Sequence, residues 1–186
     1  MQRSLLLMTA VLALAAGQNL LVNGDFEQPI TTGWTLTLGG AGYGATDRQT
    51  SYHPDPDYEA MDSLYTGAGC RKLAQRVNVL SPWLDVSFWA KFAIGGGSAT
   101  CWSVACMTIG YYDASDARLG ETRFYHHNSY CNWTSTPTMH LIDVTNPDWN
   151  QYSLNISEEL ADHLPGVNPN LVKRVEVALF DTTGGG

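Results

Sequence analysis

Apolar and polar residues alternate along much of this chain with a period of two. The alternation is clearest in residues 84–92, Leu-Asp-Val-Ser-Phe-Trp-Ala-Lys-Phe, and it returns at residues 107–111, 152–156 and 175–179. A period of two suits a strand with one buried face, because successive side chains point to opposite sides. Turn-forming clusters punctuate these stretches at residues 39–42 (Gly-Gly-Ala-Gly), 95–98 (Gly-Gly-Gly-Ser) and 113–116 (Asp-Ala-Ser-Asp). Only residues 157–164 carry helical signals, with Ser157 as a cap and Glu158 and Glu159 in the first turn. Several short strands without strand–helix alternation predict an all-β fold, an antiparallel β-sandwich.

The same pattern predicts which side chains face outward. Burying Val86, Phe88, Ala90 and Phe92 turns Trp89 and Lys91 out. The cluster at 113–116 predicts a hairpin. Burying Met107, Ile109 and Tyr111 turns Trp102 and Tyr112 out. The register that keeps the core apolar then sets Glu121, Arg123, Tyr125 and His127 beside them. Rings beside charged hydrogen-bonding groups suit a sugar, whose C–H face packs on a ring while its hydroxyls reach polar partners. The rival reading makes these rings packing under a loop or a neighbouring strand. Phe26, Trp34 and Trp149 are assigned to the core.

Residues 1–17 read as a signal peptide, leaving residues 18–186 as one domain. Arg3 supplies the positive start, residues 5–14 form an apolar run, and residues 13–17 offer small-residue cleavage patterns. The run is too short to span a bilayer as a helix. The rival is a buried N-terminal helix, but the polar face of a soluble helix is absent. Secretion or a cell-surface location follows, with no membrane span. Acids outnumber bases 18 to 10, for a net charge of −8, and losing Arg3 makes it −9. That argues against nucleic acid as a partner, which needs a basic face. With 44% hydrophobic and 11% aromatic residues, the chain is no disordered acidic tail.

Export also changes how the cysteines read. Four cysteines in an oxidising compartment point to two disulfides. The expected pairs are Cys101–Cys131, across the hairpin, and Cys70–Cys106, by elimination. The register alone does not set Cys101 opposite Cys131, so residues 128–130 have to bring them together. Zinc is a rival, weakened by the lack of a C-x-x-C pair, as are unpaired thiols or a Cys nucleophile with a His base.

Residues 19–27, Asn-Leu-Leu-Val-Asn-Gly-Asp-Phe-Glu, precede Gly33-Trp34. This opening resembles that of galactose-binding-like jelly rolls, familiar as carbohydrate-binding modules of bacterial cellulases and xylanases. Weaker matches follow in order at residues 75–79, 86–91, 109–113, 149–154 and 175–179. The resemblance implies a jelly-roll sandwich, a non-catalytic role and a polysaccharide partner. It also implies a structural calcium near the opening strand, with Glu27 giving its carboxylate and Asp25 a carbonyl or carboxylate oxygen. The acids of residues 55–59 are further candidates. Such modules close on a final strand, whereas here residues 181–186 read Asp-Thr-Thr-Gly-Gly-Gly. Either the chain is a piece of a longer protein, in which a catalytic domain could follow, or its closing strand is lacking. A lacking strand would leave an open sheet edge.

Catalytic signals are thin. No G-x-S-x-G elbow, H-E-x-x-H helix or phosphate loop is present, and nothing singles out a pair of acids among the 18. His126 and His127 are neighbours on a strand and point to opposite faces. Asn132 and Asn155 fit the glycosylation sequon. The sequence therefore favours a secreted, non-catalytic carbohydrate-binding module. Its ligand-binding face comprises Trp89, Lys91, Trp102, Tyr112, Glu121, Arg123, Tyr125 and His127. The alternative is a cell-surface structural or adhesion module with a surface protein as partner.

Overall fold

The computed structural model describes the backbone of residues 3–14, and residues 19–50, 58–95 and 101–184 in full. The strands are β1 (Arg3–Leu14), β2 (Thr35–Gly40), β3 (Tyr43–Gln49), β4 (Glu59–Thr66), β5 (Gly69–Asn78), β6 (Leu84–Gly95), β7 (Ser103–Tyr112), β8 (Arg118–His127), β9 (Met139–Asp143), β10 (Asn150–Asn155) and β11 (Arg174–Thr183). The first sheet runs β10-β6-β1-β4-β3, and the second runs β2-β5-β11-β7-β8-β9. All pairs are antiparallel except β8 with β9, which is parallel. The expected β-sandwich is therefore the observed fold. The period-two stretches lie in β6, β7, β10 and β11, save that Ile156, the last residue of one, begins a helix.

Inward positions of both sheets meet in one core. Val86, Phe88, Ala90 and Phe92 of β6 face Met107, Ile109 and Tyr111 of β7 and Val175, Val177 and Leu179 of β11, all of them buried. Phe26 and Trp34 join this core with ring centroids 4.9 Å apart. Trp149, assigned to the core from the sequence, is only half-buried. The hairpin at 113–116 forms as expected. Asp113 Oδ1 accepts hydrogen bonds from the N–H groups of Ser115 and Ala117, and Asp116 takes the left-handed φ of 67° that closes the turn. The glycine cluster at 95–98 extends beyond the described residues.

The helix α1 (Ile156–His163) forms where the sequence placed it, but Asn155 caps it. The Asn155 side chain accepts from the N–H groups of Ser157 and Glu158 and donates to Asp85 Oδ1 at 2.9 Å. One sequon amide is thereby engaged. The helix buries Ile156, Glu159 and Leu160. No helix among the described residues is long and apolar enough to cross a membrane.

The start of the chain forms a strand. Residues 3–14, read as part of a leader outside the domain, run as β1 through the centre of the first sheet. The strand pairs with β6 from Arg3 opposite Gly95 to Leu14 opposite Leu84, and with β4 from Ser4 opposite Leu64 to Met8 opposite Ala60. A continuous apolar run serves equally as the core of a leader and as a central strand.

Candidate functional site

The outer face of the second sheet is built by register. Across β5, β11, β7 and β8, one row holds Arg76, Glu176, Gly110 and Glu121. The next holds Ala74, Ala178, Thr108 and Arg123, and a third holds Lys72, Phe180, Cys106 and Tyr125. His127 continues the line opposite Val104. The expected pairing of Glu121, Arg123, Tyr125 and His127 with the outward side of β7 is thus present.

Charges alternate across this floor. The Glu176 carboxylate accepts from Lys72, from Arg76 at 2.8 Å and from the Tyr112 hydroxyl at 3.1 Å. Burial pushes its carboxyl up, but the hydrogen bonds from Lys72 and Arg76 outweigh burial and hold it below its ordinary range. Glu121 is buried between Arg118, at 3.0 Å, and Arg123, at 2.5 Å. A shallow cleft of about 50 Å³ opens between these ion pairs, over Gly110 and Thr108. A Cβ at Gly110 would stand 2.9 Å from the Tyr112 ring, so only glycine lets that ring lie there.

Tyr112 is not the open ring the sequence suggested. It is buried, and the Arg76 guanidinium lies 3.6 Å over its centroid. Burial and the neighbouring Glu176 raise its hydroxyl pKa.

An aromatic cluster stands at the other end of the face. Tyr125 stacks on His127 with centroids 4.8 Å apart and on Trp133 at 6.3 Å, and Trp133 meets Trp102 at 6.0 Å. The Arg123 guanidinium lies 4.5 Å over the Trp133 ring. Trp102 is fixed by the glycine after β11: the Gly184 N–H donates to the Trp102 carbonyl, and a Cβ at Gly184 would overlap the indole. Trp133 was missed from the sequence because it sits in a loop without periodicity. The signal available was a third Trp close in sequence to an outward-facing strand.

Trp89 and Lys91 do point outward, as expected, but they lie on β6 of the first sheet and so on the opposite side of the sandwich. Trp89 is 39% exposed, opposite Gln151 of β10. The predicted binding set therefore divides: Trp102, Tyr112, Glu121, Arg123, Tyr125 and His127 come together, and Trp89 and Lys91 do not join them.

The cysteines do not form the expected disulfides. Cys70 of β5 and Cys106 of β7 lie on either side of β11, opposite Thr182 and Phe180. Two strand spacings, about 9.5 Å, and a two-residue offset along the strands separate them, beyond the reach of a bridge. The Cys106 thiol instead donates to the Phe180 carbonyl, and the Cys101 thiol to that of Gly184. Burial pushes the Cys106 thiol well above its ordinary value and the Cys131 thiol up, which disfavours thiolate at either position.

The opening turn was the expected calcium site. Its oxygens already serve other donors. Glu27 Oε1 accepts from the Tyr58 N–H at 2.7 Å, Asp25 Oδ1 from the Glu27 N–H at 3.4 Å. The carbonyls of Phe26 and Glu27 both accept from the Arg48 guanidinium. Calcium needs six to eight oxygens, and a cation already holds two of these. The described residues of the turn do not fit the ion. Asp55 and Asp57 lie outside the described residues.

No protein-family model matches this chain, and no curated protein is similar to it in sequence. Solved structures share its architecture. The enzymatically active domain of tailspike protein 4 from bacteriophage CBA120 is 16% identical over 90% of this chain, with a TM-score of 0.52. This chain spans 20% of the length of that one. A structure described as a carbohydrate-binding module of the β-sandwich superfamily is 14% identical over 92% of this chain and 58% of its own, with a TM-score of 0.49. A family 11 carbohydrate-binding module from Clostridium thermocellum, in complex with a β-1,3-1,4-mixed-linked tetrasaccharide, is 13% identical over 95% of this chain and 92% of its own, with a TM-score of 0.43. The likeness to the tailspike domain is one of fold. The class defined is an antiparallel β-sandwich with a charged and aromatic outer face on one sheet.

Proposed function

We propose that this protein is a non-catalytic carbohydrate-binding module that holds polysaccharide on the outer face of its second sheet. The observation that carries the reading is the cluster of Trp102, Trp133, Tyr125 and His127, with the Arg123 guanidinium over Trp133. Ring faces take the C–H side of a pyranose, and the charged floor beside them takes its hydroxyls. Glu121 and Glu176 are each paired with two cations. Held below its ordinary range by the hydrogen bonds from Lys72 and Arg76, the Glu176 carboxyl makes a poor proton donor, which supports binding without hydrolysis. A shallow face buries little ligand, so affinity is weak and rests on stacking. The place of action in this reading is outside the cell.

The test is retention on insoluble polysaccharides, with a glycan array to name the ligand. Trp133→Ala is expected to weaken retention more than about tenfold, one stacked ring being worth roughly 1.4 kcal/mol or more. Trp89→Ala, on the other sheet, is expected to leave it unchanged. Retention that follows Trp89 and ignores Trp133 overturns this face.

A further inference from the structure

Away from the sugar face, a second cluster gathers at the edge of the second sheet. His140 lies on the edge strand β9, opposite Thr122 of β8. Helix α1 brings Glu159 and His163, one turn apart, against His140. The Glu159 carboxylate is buried and accepts from His140 Nδ1 at 2.6 Å and from the Thr122 hydroxyl at 2.7 Å. Thr122 in turn shares a hydrogen bond with the buried Tyr111 hydroxyl. The His163 ring stacks on His140 with centroids 4.1 Å apart and planes 13° from parallel.

We infer that His140, Glu159 and His163 form a binding site for a divalent transition-metal ion of the zinc type. Their ligand atoms all lie within 4.8 Å of one another. Zinc binds imidazole nitrogen and carboxylate oxygen at about 2.0–2.2 Å, so its tetrahedral ligands stand roughly 3.3–3.5 Å apart. The ion draws the wider pairs in and opens the short His140–Glu159 contact.

The donor set selects the class of metal. Two imidazoles and one carboxylate suit zinc and its neighbours, whereas calcium takes oxygen alone. The support around the ligands is also of the right kind. The Tyr111–Thr122–Glu159 chain fixes the carboxylate from behind, as outer partners do in metal sites. An entry path is present, because His163 is exposed and a hollow of about 180 Å³ beside it is bordered by Glu158, Glu159 and Asp162. Those acids attract a cation. Three protein ligands leave the remaining coordination to water. Once bound, the ion ties α1 to β9.

The experiment is zinc titration of the untagged, chelator-treated protein by calorimetry, with Co²⁺ as a visible probe and thermal melting in parallel. One zinc per chain, a raised Tm and a tetrahedral Co²⁺ band are expected. His163→Ala, at an exposed position, is expected to melt like the native chain without metal. It is expected to lose zinc affinity by more than the 10- to 100-fold that outer-partner changes typically cost. No stoichiometric zinc uptake, or uptake unchanged in His163→Ala, overturns the site.

Discussion

The two sheets of the sandwich share one core but are held together differently. Every strand of the second sheet comes from residues 35–183, and its centre, β11, pairs along its length with β5 and β7. Side chains then cross-link its outer face through Glu176, Glu121 and Arg123. The first sheet is centred on β1, whose sequence also reads as a leader. Its outer side carries Trp89 beside neutral groups such as Ser87 and Gln151, which share a hydrogen bond of 3.2 Å. The charged aromatic face thus lies on the sheet that takes no strand from the chain start, and the sheet that bears little chemistry is centred on that start.

Deleting residues 1–17 is the largest test of that contrast. Without β1, β4 and β6 each lose one of two neighbours, keeping β3 and β10, and the inner faces of Ala60, Leu64, Phe88 and Phe92 lose the strand between them. Native stability is only about 5–15 kcal/mol, and a central strand outweighs it. The chain 18–186 alone is expected to lose cooperative melting or to self-associate through the open edges. The full chain is expected to melt in one transition. Cleavage of an exported chain near Gln18 therefore requires a strand from elsewhere between β4 and β6. A stable, monomeric 18–186 would show that β1 is no part of the domain.

What the sequence disclosed follows from what alternation can say. A period of two reports in against out, so Phe88 and Trp89 were sorted correctly, as was the β7–β8 register. It does not report which sheet a strand joins, so Trp89 and Lys91 were placed beside Arg123 when a whole core lies between them. Residues 3–14 carry no alternation and fit two fates. Trp133 and His140 reach their clusters through loop geometry and a parallel edge pairing, which no local pattern encodes. Glu159 and His163 were legible as an i, i+4 pair on a predicted helix, but not the strand histidine that meets them.

Within the second sheet, Glu176→Gln tests the cross-linked face. The change takes the carboxylate from Lys72 and leaves Arg76 with Asp116 alone. Both cations are about a third exposed, so water offsets part of the loss. The expected cost is about 1–2 kcal/mol, lowering Tm by roughly 2–8 °C. The pH dependence has a definite sign. Because the folded carboxyl sits below its ordinary value of 4.5, its contribution is complete above that pH. It is lost as pH falls through the folded value. The gap between native and variant melting is therefore expected to close in acid and to stay constant from pH 6 to 8. A gap that widens in acid would show that burial, and not the two cations, governs Glu176.

The smallest expected effect concerns the turn that leads into the first strand of the second sheet. Calcium added to the metal-free protein is expected to leave Tm unchanged, because Arg48 already holds the carbonyls of Phe26 and Glu27. Its guanidinium also lies 4.1 Å over the Tyr58 ring, and the Tyr58 N–H in turn donates to Glu27 Oε1. Arg48→Ala is expected to cost about 1 kcal/mol through these lost contacts. It also frees two carbonyl oxygens beside the carboxylates of Asp25 and Glu27. If the turn is shaped for a guanidinium, calcium still does nothing to the variant. If calcium restores the variant's Tm but leaves the native chain unmoved, Arg48 is standing in for the ion. If calcium raises the native Tm, the turn rearranges to bind it, and Asp25 and Glu27 return as ligands.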